Sequence, residues 1–168
     1  MNQLVHDIMT RYRSQRVECV DGTLVVRALG TTGRQRLLLR CAAALRAACP
    51  PGWEALVAVG VHLAPGRLVI PDFTVNRLAG DGTALAAEDV VLAGEVLSPD
   101  TRVVDRTLKH PLYAAAGVPY HLVVDPSEAE VAAALFELEA GEYVEIARGE
   151  GGVIELPRPF PVTIELSP

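Results

Sequence analysis

A chain of 168 residues, half of them hydrophobic, is long enough to build one core without disulfide or metal staples. Its net charge of −6 counts against a strong, general nucleic-acid binder, which presents a basic surface, but not against an enzyme that meets nucleic acid in one local groove. Three cysteines, Cys19, Cys41 and Cys49, with no C-x-x-C spacing, argue against a disulfide framework or a structural zinc site and read as buried free thiols.

The amino terminus places Leu4, Val5, Ile8, Met9 and Tyr12 at helical spacing and predicts a short amphipathic helix over 3–13. It lacks the apolar stretch and cleavage site of a signal peptide, and no run reaches the roughly 18 apolar residues of a membrane span. The expectation is a cytoplasmic protein of one domain. Residues 17–26, VECVDGTLVV, predict a hairpin, because Asp21-Gly22 sits between two β-branched runs and Gly supplies positive φ. Residues 33–49 are rich in Ala, Leu and Arg and predict a helix stopped by Pro50-Pro51-Gly52. Leu37, Leu38, Cys41, Leu45 and Ala48 form its inner face, and Arg36 and Arg40 its outer one.

Two strands are predicted over 53–62 and 67–75, joined by a turn at Ala64-Pro65-Gly66, and then a polar loop over 76–88. Residues 89–98 read as a strand apolar enough to be buried on both faces. A helix is predicted over 101–116, with a kink or fresh start at Pro111. An apolar strand over 120–125 follows, then β-hairpin segments near 130–138, 142–148, 152–156 and 162–166. The order predicts an α/β fold with extra β structure at its end.

Two carboxylates stand out. Glu95 interrupts the apolar run VVLAGEVLS, and Asp72 lies inside RLVIPDFTV. A buried carboxylate needs a cation or hydrogen-bond donors. Neighbouring strands can bring two such groups together, where a divalent metal relieves their repulsion; oxygen ligands favour Mg2+ or Mn2+. The alternative is that each carboxylate pairs with an arginine or caps a turn. Asp105 and Lys109 are spaced as a helical surface pair, although a lysine on the inner side of that helix can point back at Glu95. His6, His62, His110 and His121 show no ligand spacing, and His110 is expected to be a solvent-facing neighbour. Ser98 lacks a nucleophile context, and Asp125 before Pro126 reads as a turn residue.

Taken together, VECVDGTLVV, IPDFTV, GEVLSPDT, the DRTLK segment, Tyr113, the run Ala116-Gly117-Val118-Pro119 and LVVDP resemble the Uma-two (Uma2) family. These are restriction-endonuclease-like proteins of the PD-(D/E)XK nuclease superfamily. The resemblance spans roughly residues 17–145. It implies a restriction-endonuclease-like mixed central sheet flanked by helices, with C-terminal β-hairpins, and Mg2+- or Mn2+-dependent hydrolysis of DNA. By that resemblance Asp72 is the aspartate after proline and Glu95 the acidic residue of the second catalytic strand. The Val96 carbonyl is a further metal ligand, Lys109 replaces the basic residue usual two positions after the glutamate (here Leu97), and Glu18 is auxiliary. Arg34 and Gln35 stand where the family often has histidine, and Tyr120-His121-Leu122 where it usually has Tyr-Trp. Arg102, Arg106 and Arg36 are candidate phosphate contacts. A homodimer would supply the two sites that cutting two strands requires. The rival expectation is a catalytically inactive binding or assembly module on the same fold.

Overall fold

The computed structural model describes residues 16–27, 30–78, 80–98, 108–126 and 131–167. The predicted helix over 3–13 lies outside them, as do Arg102, Asp105 and Arg106.

Strands β1 (Arg16–Val20) and β2 (Thr23–Arg27) form the predicted hairpin. Asp21 and Gly22 take the turn with φ of 49° and 82°. Helix α1 (Thr32–Ala48) starts at a Thr31 cap, whose hydroxyl oxygen accepts the Arg34 N–H at 3.2 Å. Its predicted inner residues Leu37, Leu38, Cys41 and Leu45 are buried.

The strand predicted over 53–62 is two strands, β3 (Trp53–Val57) and β4 (Gly60–Ala64), separated at Ala58 with φ of 52°. The one predicted over 67–75 likewise divides into β5 (Arg67–Val69) and β6 (Phe73–Arg77). Asp72 therefore stands in the crossing segment just before β6, not inside a strand. In both cases the chain leaves one sheet for another, which a continuous strand cannot do, and Pro71 has no N–H to offer a ladder at the second break. The predicted loop over 76–88 also contains β7 (Ala84–Ala86) and a 3-10 turn (Ala87–Asp89). β8 (Val90–Val96) is buried throughout, as its composition predicts.

Helix α2 (His110–Ala115) carries Pro111 in its first turn, and residues 101–107 of the predicted helix lie outside the described residues. β9 (Tyr120–Asp125), β10 (Ala132–Glu139), β11 (Glu142–Arg148), β12 (Val153–Leu156) and β13 (Val162–Glu165) complete the described elements.

The central sheet has six strands in the order β11-β10-β9-β8-β6-β3, antiparallel except for the parallel β8–β9 pair. A second sheet runs β2-β1-β5-β4-β7, and β12-β13 form a hairpin. One face of the central sheet packs on α1 through Leu45, Phe73, Leu92 and Leu122. On the other, Ala93 packs with Tyr113 of α2, Val118, and Val61 and Val69 of the second sheet. Side chains alternate along a strand, so Leu92 and Val96 face α1 while Ala93 and Glu95 face α2. Glu95 thus enters the layer where the two sheets and α2 meet.

Candidate active site

Asp72 is wholly buried in the segment that steps from β5 to β6. Its N–H donates to the Gly94 carbonyl at 3.0 Å, and its Oδ2 accepts the Val96 N–H at 2.7 Å. Two guanidinium groups close on the same carboxylate. Arg16, the first residue of β1, donates through one terminal nitrogen to Oδ1 and through the other to the Ile70 carbonyl. Arg34, in the first turn of α1, donates through a terminal nitrogen to Oδ2 and through Nε to the Val96 carbonyl at 2.9 Å. Each arginine therefore bridges Asp72 to a backbone oxygen, a use of the planar fork that lysine cannot reproduce.

Glu95 lies in a second cluster beside the first. Its Oε1 accepts from Lys109 Nζ at 2.9 Å and from the Tyr113 hydroxyl at 2.7 Å. Lys109 Nζ also meets Glu18 Oε1 at 2.7 Å and donates to the Ile70 carbonyl at 3.3 Å. Glu18 in turn accepts the Ile70 N–H at 2.8 Å. Lys109 and both glutamates are buried, so the ammonium is a fully desolvated partner rather than a surface charge. Each of these three oxygens is an acceptor suited to one of its N–H donors.

The pairing sets the charge states. Burial alone would raise the Asp72 pKa, but the charges of Arg16 and Arg34 outweigh it and hold the carboxyl below its usual range. Burial opposes the charge on Arg16, yet Asp72, Glu95 and Glu18 together push its pKa up. Among the described residues, Arg16, Arg34 and Lys109 thus face Glu18, Asp72 and Glu95, three basic side chains against three acidic ones.

The predicted residues Glu18, Asp72, Glu95, Val96 and Lys109 meet at this junction of the two sheets, α1 and α2. The alternative pairing of Asp72 with arginine is also realised. Three participants were given no site role from the sequence. Arg16 is two residues before Glu18 in β1 and so shares its face. Tyr113 is four residues after Lys109, one helical turn on. Arg34 reaches Asp72 from the first turn of α1, across 38 residues of sequence. Arg36 is exposed on α1.

His110 is not the solvent-facing neighbour expected. Its Nδ1 lies 2.8 Å from Nδ1 of the fully buried His121, and its ring packs on Phe136 and Tyr143. Burial lowers the pKa of both rings, and the charges of His110 and Lys109 push His121 further down, well below its ordinary value. Asp125 is buried at the end of β9 rather than exposed in a turn.

Among the described residues, no three His, Cys, Asp or Glu side chains converge as a metal site. No helix among them is long and apolar enough to cross a membrane. The sequence profile of the Uma2 family, described as "Putative restriction endonuclease", matches residues 3–168. The fold is similar to the crystal structure of "a putative nuclease belonging to DUF820" from Anabaena variabilis ATCC 29413. That similarity has a TM-score of 0.65 at 15% identity, covering 85% of this chain and 81% of the other. No curated protein matches the chain.

Proposed function

The chain belongs to the Uma2 family, and from that premise we propose that it is a metal-dependent endonuclease hydrolysing phosphodiester bonds in DNA, acting as one domain. The observation that supports this best is the buried Lys109 ammonium held 2.9 Å from Glu95. A structural strand residue has no need of such a partner, since an apolar side chain in its place would avoid the desolvation of both charges.

Asp72, Glu95 and the Val96 carbonyl are the proposed ligands of Mg2+ or Mn2+. Their donor chemistry fits: all are oxygens, two are anionic, and none is the nitrogen or sulfur that favours zinc. Because one ligand is a backbone carbonyl, the set does not require a third acidic or imidazole side chain. A metal held there would polarise the phosphate and lower the pKa of an attacking water. The chain's own residues orient and balance. Tyr113 and Lys109 fix the Glu95 carboxylate from two directions. Lys109 brings positive charge to the place where phosphate charge grows, and its longest hydrogen bond, 3.3 Å to the Ile70 carbonyl, is the one most readily exchanged for a phosphate oxygen. Glu18 keeps the ammonium in place. Such an enzyme would meet DNA in the cytoplasm, and a homodimer would bring two sites to a duplex.

A second reading is favoured by the two arginines on Asp72 together with the net charge of −6. It is a nuclease-fold binding or assembly module in which the cluster serves only as a buried ion-pair network.

Cleavage of plasmid, linear, single-stranded and branched DNA in Mg2+ or Mn2+, with Glu95→Ala as control, separates the two. Cleavage by the wild type that disappears in the variant is the expected result. Equal cleavage by both would discard this site. Cleavage by neither across the panel would favour the binding module.

A further inference from the structure

We propose that Arg34 is the resident cation of the metal position, so that a divalent ion binds only by displacing its guanidinium from Asp72 and Val96. This rests on the ligand set proposed above. Arg34 donates to Asp72 Oδ2 and, at 2.9 Å, to the Val96 carbonyl, two of the three ligand groups. A guanidinium and a metal ion cannot both occupy the space facing those oxygens, because they are like charges in a buried site.

The charge balance points the same way. Among the described residues, Arg16, Arg34 and Lys109 already stand against Glu18, Asp72 and Glu95. A divalent ion added to that set would leave excess positive charge away from water, at a high desolvation penalty. Release of Arg34 removes part of the excess and uncovers the ligand oxygens in one movement.

There is also somewhere for the side chain to go, since Arg34 lines a cavity of about 330 Å3 beside Thr31 and Leu97. Arg16 is less suited to leave, since Asp72, Glu95 and Glu18 all hold its charge. Arg34 is therefore the residue that sets the metal affinity of this chain.

The test is titration of Mn2+ alone into the full chain, with free ion read by electron paramagnetic resonance. The proteins compared are the wild type, Arg34→Gln, Gly30→Ala, and Arg34→Gln combined with Asp72→Asn. A Cβ at Gly30 would lie 2.5 Å from Arg34 Cδ, so Gly30→Ala disturbs the inward side chain while keeping its charge. Arg34→Gln should bind Mn2+ roughly ten- to a hundredfold tighter than the wild type, the usual span for two coupled binding events. Gly30→Ala should shift affinity the same way by a smaller factor, and adding Asp72→Asn should abolish the gain. Equal affinity of wild type and Arg34→Gln, with binding still lost through Asp72→Asn, would overturn the role of Arg34 and leave the ligand set standing. Binding by none of the proteins would remove the metal reading and the role of Arg34 with it. If thermal melting shows that Arg34→Gln does not fold, Gly30→Ala decides alone, and unchanged affinity there overturns the proposal.

Discussion

Asp72 is registered on Val96 by the backbone: the Val96 N–H donates to the Asp72 carboxylate at 2.7 Å, two residues along from the Gly94 carbonyl that accepts the Asp72 N–H. The crossing segment is thereby held against the end of β8, and Glu95, between those two residues, is brought beside Asp72 without any direct bond between the side chains being needed. Site geometry is a consequence of strand register.

That register depends on the absence of a side chain at Gly94. Gly94 is paired with Phe73, and a Cβ there would come within 1.9 Å of the Phe73 ring. Gly94→Ala should destabilise the protein by about 1–3 kcal/mol through overpacking, and replacing Phe73 by Leu in that background should recover part of it. Urea denaturation measures both. An unchanged midpoint for Gly94→Ala would show that Phe73 can move aside freely.

Lys109 is the only cation seen on Glu18 and Glu95 at ion-pair distance among the described residues. Lys109→Met leaves two buried carboxylates without it and should cost about 3–5 kcal/mol, the usual penalty for breaking a buried pair from one side. Adding Glu18→Gln should restore part of the stability but none of the proposed cleavage. A Lys109→Met protein as stable as the wild type would contradict the buried placement of the ammonium.

The Tyr113 hydroxyl donates to Glu95 at 2.7 Å from a fully buried ring. Tyr113→Phe should remove about 1.5–3 kcal/mol, the range for a hydrogen bond to a charged group. As a positioning residue it should lower the rate of the proposed cleavage far less than Glu95→Ala. A loss as complete as that of Glu95→Ala would assign the hydroxyl a direct part in the chemistry.

The imidazole pair makes stability depend on pH. His121 is held neutral in the fold, with its pKa well below the ordinary 6.5, so the unfolded chain takes up a proton first as pH falls. Its contribution is therefore complete above pH 6.5 and declines below it, by at most about 1.4 kcal/mol per pH unit for one proton. His110, shifted in the same direction, adds to the slope. Asp72, whose pKa is lowered, acts in a separate window below its ordinary 3.8. Melting temperatures from pH 7.5 to 5 should fall in the wild type and fall less in His121→Gln. Parallel curves for the two proteins would refute this assignment.

The pairing of Arg16, Arg34 and Lys109 with three carboxylates among the described residues predicts that the fold does not rely on metal. Stripping divalent ions with a chelator should leave the protein folded, at the lower melting temperature of the metal-free state, while stopping the proposed cleavage. Loss of the folded state at room temperature would mean that the ion neutralises charge that Arg16, Arg34 and Lys109 do not.

Hydrophobic patterning and turn chemistry act over a few residues, and what depends on them could be read from the chain alone. The Asp21-Gly22 hairpin, the buried stripe of α1, the inaccessible β8 and the strand over 120–125 are of this kind. So is the prominence of Glu95, because a carboxylate within an apolar run is costly wherever that run is buried. Together with the motif order they identified the fold and the family. Tertiary structure decided what local pattern cannot carry. The strand breaks at Ala58 and before Phe73 exist because the chain changes sheets, and nothing in an apolar run specifies which sheet it will join. Arg16 and Arg34 reach Asp72 across separations of 56 and 38 residues, and His110 meets His121 between a helix and a strand. Burial obliges a charge to find a partner, but many partners satisfy that demand equally well in sequence. Only the three-dimensional packing selects which cation stands at which carboxylate.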